Sequence, residues 1–287
     1  FYDGSFTALQ YLINNSGNVI NLTKNYNFSM MSDKLLTNGI YINKDLTING
    51  NGHVINGDDQ ARIFNINGHK VVLNNITFIN GHTPDNGGAI QTSPSTSLSI
   101  DSCRFENNSA KDGGAIYLKS YRTVNIESSA FKNNTARATG GAIYYYGNDQ
   151  SNIFCNITGT FTNNKAGKDG GAIYLIDVAK YHLKGNFTNN TAVNGGAVCA
   201  DVAIAISTFT IDGIFDSNDA RYGGAVYSFN PFGNFTGIYQ NNRASKDGGA
   251  IYFHSTGTVT NCNFTNNKAT EDGGAVNFQD TGTVTNC

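Results

Sequence analysis

The sequence predicts an all-β protein, a right-handed parallel β-helix of about 25 residues per turn with a short capping helix at its N-terminus. Three observations carry this prediction. A frame reading Phe-x-x-Asn-x-Ala, followed by Gly-Gly-Ala-Ile/Val, recurs at Phe105, Phe131, Phe161, Phe187, Phe215 and Phe264; Tyr239 replaces Phe in one copy, and a degenerate copy starts at Phe78. The paired glycines begin at Gly87, Gly113, Gly140, Gly170, Gly195, Gly223, Gly248 and Gly273, so the spacings are 26, 27, 30, 25, 28, 25 and 25 residues. The composition, with 42 Asn, 33 Gly, 3 Pro and no Trp, supplies turn formers among many Val, Ile, Phe and Tyr, which suits short strands divided by tight corners.

One domain is expected over residues 1–287, with an N-terminal cap over 1–17, irregular first turns over 18–77 and the repeats over 78–287. In the cap, Phe6, Leu9 and Ile13 share one helical face and Ser5 is placed to cap the first turn. A repeat stack exposes its core at each end, so this helix reads as a plug. Apolar bursts at Val19 to Leu22, Gly39 to Ile42, Leu46 to Ile48, Val54 to Ile55 and Ile63 to Ile66 read as short strands of the early turns.

From Val71 onward the register is legible. Val71-x-Leu73-x-x-Ile76-x-Phe78, Leu98-x-Ile100-x-x-Cys103-x-Phe105 and Val124-x-Ile126-x-x-Ser129-x-Phe131 each place two inward residues, a bend, and two more inward residues. The Asn-Asn step after Phe suits a sharp corner, because Asn tolerates the left-handed conformation and bonds nearby backbone. The Ile or Val after Gly-Gly-Ala should point inward. Its variable neighbour, which is Gln91, Tyr117, Tyr144, Tyr174, Cys199, Tyr227, Tyr252 or Asn277, should point outward. Two repeats are longer than the rest, and their extra residues should form protruding arcs at Tyr145 to Gln150 and Asp201 to Ser207.

A formal net charge of −2 with few Lys and Arg leaves no basic stripe, so neither nucleic acid nor an anionic membrane surface is an expected partner. The chain starts at Phe1 without Met and stops at Cys287 inside a repeat, and it is expected to be a piece of a longer polypeptide. Five widely spaced cysteines fit neither a zinc site nor a disulfide framework.

β-Helices often host polysaccharide lyases and glycoside hydrolases, which need carboxylates facing each other across a sugar. The residues before Gly-Gly, Asp112, Asp169, Asp247 and Asp272, form the best acidic column. They would act on a sugar, hold calcium, or brace the corner as Thr139, Asn194 and Tyr222 do at the same place. The five histidines fall at unrelated repeat positions without metal spacing. No catalytic residue, metal ligand or cofactor is expected. Cys103, Cys262 and Cys287 share an inward column; Cys262 and Cys287 would stack on adjacent turns, as a disulfide or as small core residues like Ser129, Gly159, Gly185 and Gly213. Tyr117, Tyr144 and Tyr174 form one outward run and Tyr227 and Tyr252 a second, with Tyr146 widening the first. They stack on one another to stabilise the sheet, or serve as an aromatic face for sugars or protein. Among eleven Asn-x-Ser/Thr sites, Asn75, Asn107, Asn133, Asn156, Asn189, Asn234 and Asn263 are candidates for N-glycosylation in a cell that performs it.

Phe-x-x-Asn paired with Gly-Gly-Ala-Ile/Val resembles the repeats of chlamydial polymorphic outer-membrane proteins. The fuller pattern is similar to adhesin-like surface proteins of methanogenic archaea: Gly4-Ser5-Phe6-Thr7 with its helix, Asn21-Leu22-Thr23, Gly39-Ile40-Tyr41-Ile42-Asn43-Lys44, Thr47-Ile48-Asn49-Gly50-Asn51-Gly52-His53, Arg62-Ile63-Phe64 and Asn75-Ile76-Thr77-Phe78. The resemblance implies a pectin-lyase-like β-helix at the cell surface, outermost in a larger anchored polypeptide, that attaches to other cells, surface glycans or proteins. It supplies no catalytic residues. The expected function is therefore a non-catalytic extracellular adhesin segment, with a polysaccharide-active enzyme and a passive spacer as alternatives.

Overall fold

The structure is a computed structural model that describes residues 3–120, 122–147, 154–178, 180–201, 208–229 and 233–287. Every strand pair among the described residues is parallel, and each rung pairs with the equivalent segment of the next turn. The result is a β-solenoid of about 10 turns, each about 26 residues long.

The longest sheet stacks Val19–Asn21, Leu46–Asn49, Lys70–Asn74 and Ser97–Asp101, then the longer strands Val124–Lys132, Phe154–Thr162, Lys180–Thr188, Thr208–Asp216, Gly233–Gln240 and Gly257–Thr265, and ends on Gly282–Thr285. In the early turns its second half is carried by separate strands, such as Thr77–Ile79 and Arg104–Glu106, divided from the first half by Asn75 and Ser102 at positive φ. Residues 18–77 stack in register with the later repeats: Leu46 pairs with Val71 and Val71 with Leu98.

A second sheet of ten strands runs from Ile40–Ile42 to Val276–Phe278 and holds the aliphatic after Gly-Gly-Ala. Tyr145 and Tyr146, expected in the first arc, instead continue the strand Ile143–Tyr146, and the alternation turns Tyr145 into the core. Asn148 to Gln150, and all of the second expected arc except Asp201, lie outside the described residues. A third sheet, two residues wide, includes Ser109–Ala110, Thr135–Ala136 and Lys165–Ala166 and explains the Ala of the frame, because Ala110, Ala136 and Ala166 are buried.

Each motif position has a physical role. The Phe column fills the core and stacks: Phe105 and Phe131 lie 4.8 Å apart at 3°, and the column continues through Phe161, Phe187, Phe215 and Tyr239. The two asparagines divide the corner between them. The first, such as Asn163, takes positive φ and is exposed. That left-handed step turns the second inward, where Asn108, Asn134, Asn164, Asn190, Asn218 and Asn242 are buried. Each of these amides donates to the next asparagine and to the Phe carbonyl of the preceding turn, as Asn164 does to Asn190 Oδ1 at 3.0 Å and Phe131 O at 3.0 Å. The ladder satisfies polar groups at a corner that no sheet bond reaches.

The glycine pair is needed for two different reasons. Gly170 sits at φ +63, where side chains are strained; a Cβ on Gly171 would lie 1.9 Å from the Gly196 carbonyl oxygen of the next turn.

At the N-terminal end, helix α1 (Phe6–Asn15) buries Phe6, Leu9 and Ile13 against the first turns, and Ser5 Oγ accepts from Ala8 N at 3.1 Å, as the sequence indicated. A second helical element is new. Helix α2 (Met30–Asp33), continued by a 3₁₀ turn over Lys34–Leu36, brings Asp33 to the start of α1. The buried Asp33 carboxylate accepts from Phe6 N, Thr7 N, Thr7 Oγ1 and Ser29 N at 3.2, 2.8, 2.7 and 2.9 Å. It thereby meets the orphan amides and positive end of α1 from outside the helix. The buried Arg62 clamps three carbonyls, Gly87 O, Asn38 O and Asn86 O, across adjoining turns.

Candidate functional site

The outer face of the second sheet carries the aromatic residues read from the sequence. Register pairs Gln91, Tyr117, Tyr144, Tyr174, Cys199, Tyr227, Tyr252 and Asn277 in one column. Tyr174, Cys199, Tyr227 and Tyr252 form an apolar cluster separate from the solenoid core, joined at its edge by Tyr144, Ile176, Tyr222 and Phe229. Cys199 therefore bridges what the sequence presented as two runs.

Pointing outward does not leave these rings exposed. Tyr174, Tyr227 and Tyr252 keep only 9, 7 and 9 % of their surface in solvent, while Tyr117, Tyr144 and Tyr146 are half-buried. Tyr117 and Tyr144 stack at 4.7 Å and 10°, Tyr227 and Tyr252 at 5.1 Å and 19°, and Tyr174 tilts by 38° against Tyr144. Successive turns repeat at the inter-strand spacing, so equivalent rings cover one another. Mutual stacking, one of the two roles read for these tyrosines from the sequence, is present here, and the strip presents ring edges and hydroxyl tips where the faces are in contact.

Its electrostatics follow from the packing. Burial pushes the Tyr144, Tyr174 and Tyr227 hydroxyls above the ordinary phenol range. All three are protonated donors at neutral pH, and the Tyr174 hydroxyl donates to Asp201 Oδ2 at 3.0 Å. At the far end Lys119 Nζ lies 5.7 Å from the Tyr146 ring centroid, and Phe229 packs between Tyr227 and His254. From the sequence Phe229 has no assigned role, His254 is only one of five histidines at unrelated repeat positions and Tyr222 has only a corner role; the signal that places them here is their position two residues beyond, or five before, a ladder tyrosine.

Three carboxylates of the acidic column, Asp112, Asp169 and Asp247, are engaged in the corners. Asp112 Oδ1 accepts from Thr139 N at 3.1 Å and Thr139 Oγ1 at 2.7 Å, Asp169 Oδ1 from Asn194 Nδ2 at 2.7 Å, and Asp247 Oδ1 from Asp272 N at 2.9 Å. These contacts supply the bracing role. Burial raises the Asp169 carboxyl above its usual range, with Asn194 opposing. Among the described residues no three His, Cys, Asp or Glu side chains gather in a metal-holding group.

The five cysteines are free thiols; Cys103 and Cys262 fill the small inward column, and Cys262 N–H donates to Cys287 Sγ at 3.3 Å. Among the glycosylation candidates Asn75, Asn107, Asn133, Asn189, Asn234 and Asn263 are exposed. Asn156 is half-buried, with Nδ2 donating to Asn125 Oδ1 and Glu127 Oε1 at 2.9 and 3.0 Å.

No curated protein matches the chain, and no solved structure matches it. Six stretches do match the Chlamydia polymorphic membrane protein repeat, over residues 102–119, 128–146, 158–175, 185–201, 240–254 and 261–279, together less than half of the chain. Each holds a Phe or Tyr of the stacked column, or the Gly-Gly-Ala step beside it, so this chain is a β-solenoid built in part from turns similar to the repeats of that surface-protein family.

Proposed function

We propose that this chain is a non-catalytic, surface-displayed attachment segment that contacts other cells, glycans or proteins through the outer face of the second sheet. The observation that carries the reading is the second apolar cluster. Tyr174, Cys199, Tyr227 and Tyr252 lie outside the core and bury no solenoid interior, yet they are held in register along one side of a rod. A row of tyrosine edges and protonated hydroxyls suits a partner that brings both apolar surface and hydrogen-bond acceptors. Surface display is supported by the repeat similarity, and no described helix is long and apolar enough to cross a membrane. An adhesin of the archaeal type is the finer form of this proposal. The carboxylates of Asp112, Asp169 and Asp247, engaged in corner hydrogen bonds, favour attachment over hydrolysis.

A second reading, a spacer that lifts another module from the surface, is favoured by the mutual burial of the rings. The test is incubation of the protein with pectin, polygalacturonate and host glycans, with and without calcium, followed by product analysis and a cell-retention assay. Retention without released sugar is expected. Released oligosaccharide contradicts the non-catalytic reading, and absence of retention favours the spacer.

A further inference from the structure

Helix α1 has two working faces. Phe6, Leu9 and Ile13 are buried in the core, while Ala8, Tyr11, Leu12 and Asn15, at i, i+3, i+4 and i+7, form an adjoining stripe in which Ala8 and Leu12 are partly buried against that core and Tyr11 and Asn15 are exposed. That stripe walls a cavity of about 950 Å³ whose opposite side is the first turn of the solenoid, with Asn21, Thr23, Lys24 and Tyr26. The volume lies in the range of small-ligand sites, and the lining is of the kind they use: an apolar floor with a few convergent polar groups.

The chemistry of the lining narrows the ligand. Tyr11 is 67 % exposed, and among the described residues it pairs with no other aromatic ring, so its face is available in a way that the stacked tyrosines of the second sheet are not. Asn15 Nδ2 is spent on Tyr11 O at 2.8 Å, which leaves Asn15 Oδ1 as an acceptor. Asn21 Oδ1 accepts from Asn49 Nδ2 at 2.8 Å, which leaves Asn21 Nδ2 as a donor. Lys24 is ion-paired with Asp3, so the cavity offers polar atoms of both kinds without a net charge to attract an anion. Lys44 Nζ donates to Ser16 O at 2.6 Å and fixes the end of the helix wall.

We propose that this cavity is a binding site for a neutral hexopyranose, whose apolar face lies on Tyr11 and whose hydroxyls meet Asn15, Asn21, Thr23 and the Lys24–Asp3 pair. Of the common ligand classes, a sugar presents an apolar C–H face and alternating hydroxyl donors and acceptors on one rigid ring. The site is built from the cap and first turn, away from the tyrosine strip, and does not rest on the function proposed for that strip.

The test is a ¹H–¹⁵N titration of the whole chain with methyl α-mannopyranoside, methyl β-glucopyranoside and methyl β-galactopyranoside. Saturable shifts confined to residues 3–26 are expected with at least one of them. Tyr11→Ala should weaken that binding by about tenfold, and Tyr11→Phe should keep it within about threefold, because the ring supplies the contact. Asn21→Ala, on the opposite wall, should give an independent loss, and Tyr117→Ala should leave the shifts unchanged. Absence of saturable shifts with all three sugars, shifts that map to the tyrosine strip, or full binding by a folded Tyr11→Ala protein would each overturn the proposal.

Discussion

Asn164 and Asn190 are linked twice: the Asn164 backbone N–H and its Nδ2 both donate to Asn190 Oδ1, at 2.9 and 3.0 Å. Asn190 then repeats the pattern on Asn218 and donates to Phe161 O. One amide thus serves three turns. Asn190→Ala leaves several buried groups without partners and should cost at least about 2–3 kcal/mol in urea unfolding. Its neighbour Asn189 is exposed at φ 54, so Asn189→Ala should cost only about 1 kcal/mol of backbone strain and Asn189→Gly almost nothing.

Tyr239 occupies a Phe position, stacked 4.7 Å from Phe215, and its buried hydroxyl has no hydrogen-bond partner among the described residues. Tyr181 shares that state. Removing an unsatisfied buried hydroxyl releases its desolvation cost, so Tyr239→Phe should raise stability by about 1 kcal/mol, read as a higher urea midpoint with an unchanged slope. A loss of stability would mean that the hydroxyl is satisfied.

Gly171→Ala drives a Cβ into the Gly196 carbonyl, whereas Gly17 has no atom of the described residues within 4 Å of the equivalent position and no positive φ. The first substitution should prevent folding or cost more than about 3 kcal/mol, since two backbones would have to separate. Gly17→Ala should be neutral or stabilising by up to about 1 kcal/mol. Thermal unfolding of the two variants checks the contrast.

Burial pushes the Cys103 and Cys262 thiols up to about 12 and the Tyr145, Tyr181 and Tyr239 hydroxyls well above the phenol range. All are neutral in the fold at physiological pH. The unfolded chain ionises its thiols near about 8.5 and its phenols near about 10, so above these values it holds fewer protons than the folded chain. Stability should be full below about pH 8.5 and fall as pH rises through the window up to the folded values. Urea midpoints at pH 7, 9 and 10.5 should decline in that order, and a flat or rising series would contradict the burial of these groups.

The columns parallel to the rod axis were legible in the sequence because they depend on spacing alone. Phe105, Ile116 and Gly113 recur at fixed offsets, and parallel stacking converts equal offsets into contacts. Contacts between unlike positions were not. Asp33 reaches α1 across 26 or 27 residues through a helix whose short sequence, Met-Met-Ser-Asp, carries no periodicity. The Asn-Asn pairs announced a corner, but which amide turns inward depends on the left-handed φ of the first. The tyrosine column was readable as outward-facing, while its burial arises only when rings about 5 Å apart in adjacent turns cover each other. The cavity beside α1 needed Tyr26 and the second helical stripe, neither of which follows from the repeat.

The central claim, attachment through the second sheet's outer face, is tested most directly by cell retention of the wild-type chain against a Tyr117→Ala, Tyr144→Ala, Tyr146→Ala triple variant. These three rings are the half-buried members of the strip, so the solenoid should survive their loss, as far-ultraviolet circular dichroism will show. The account predicts that retention falls by about tenfold or more while the spectrum is unchanged. Undiminished retention by the folded variant would contradict it.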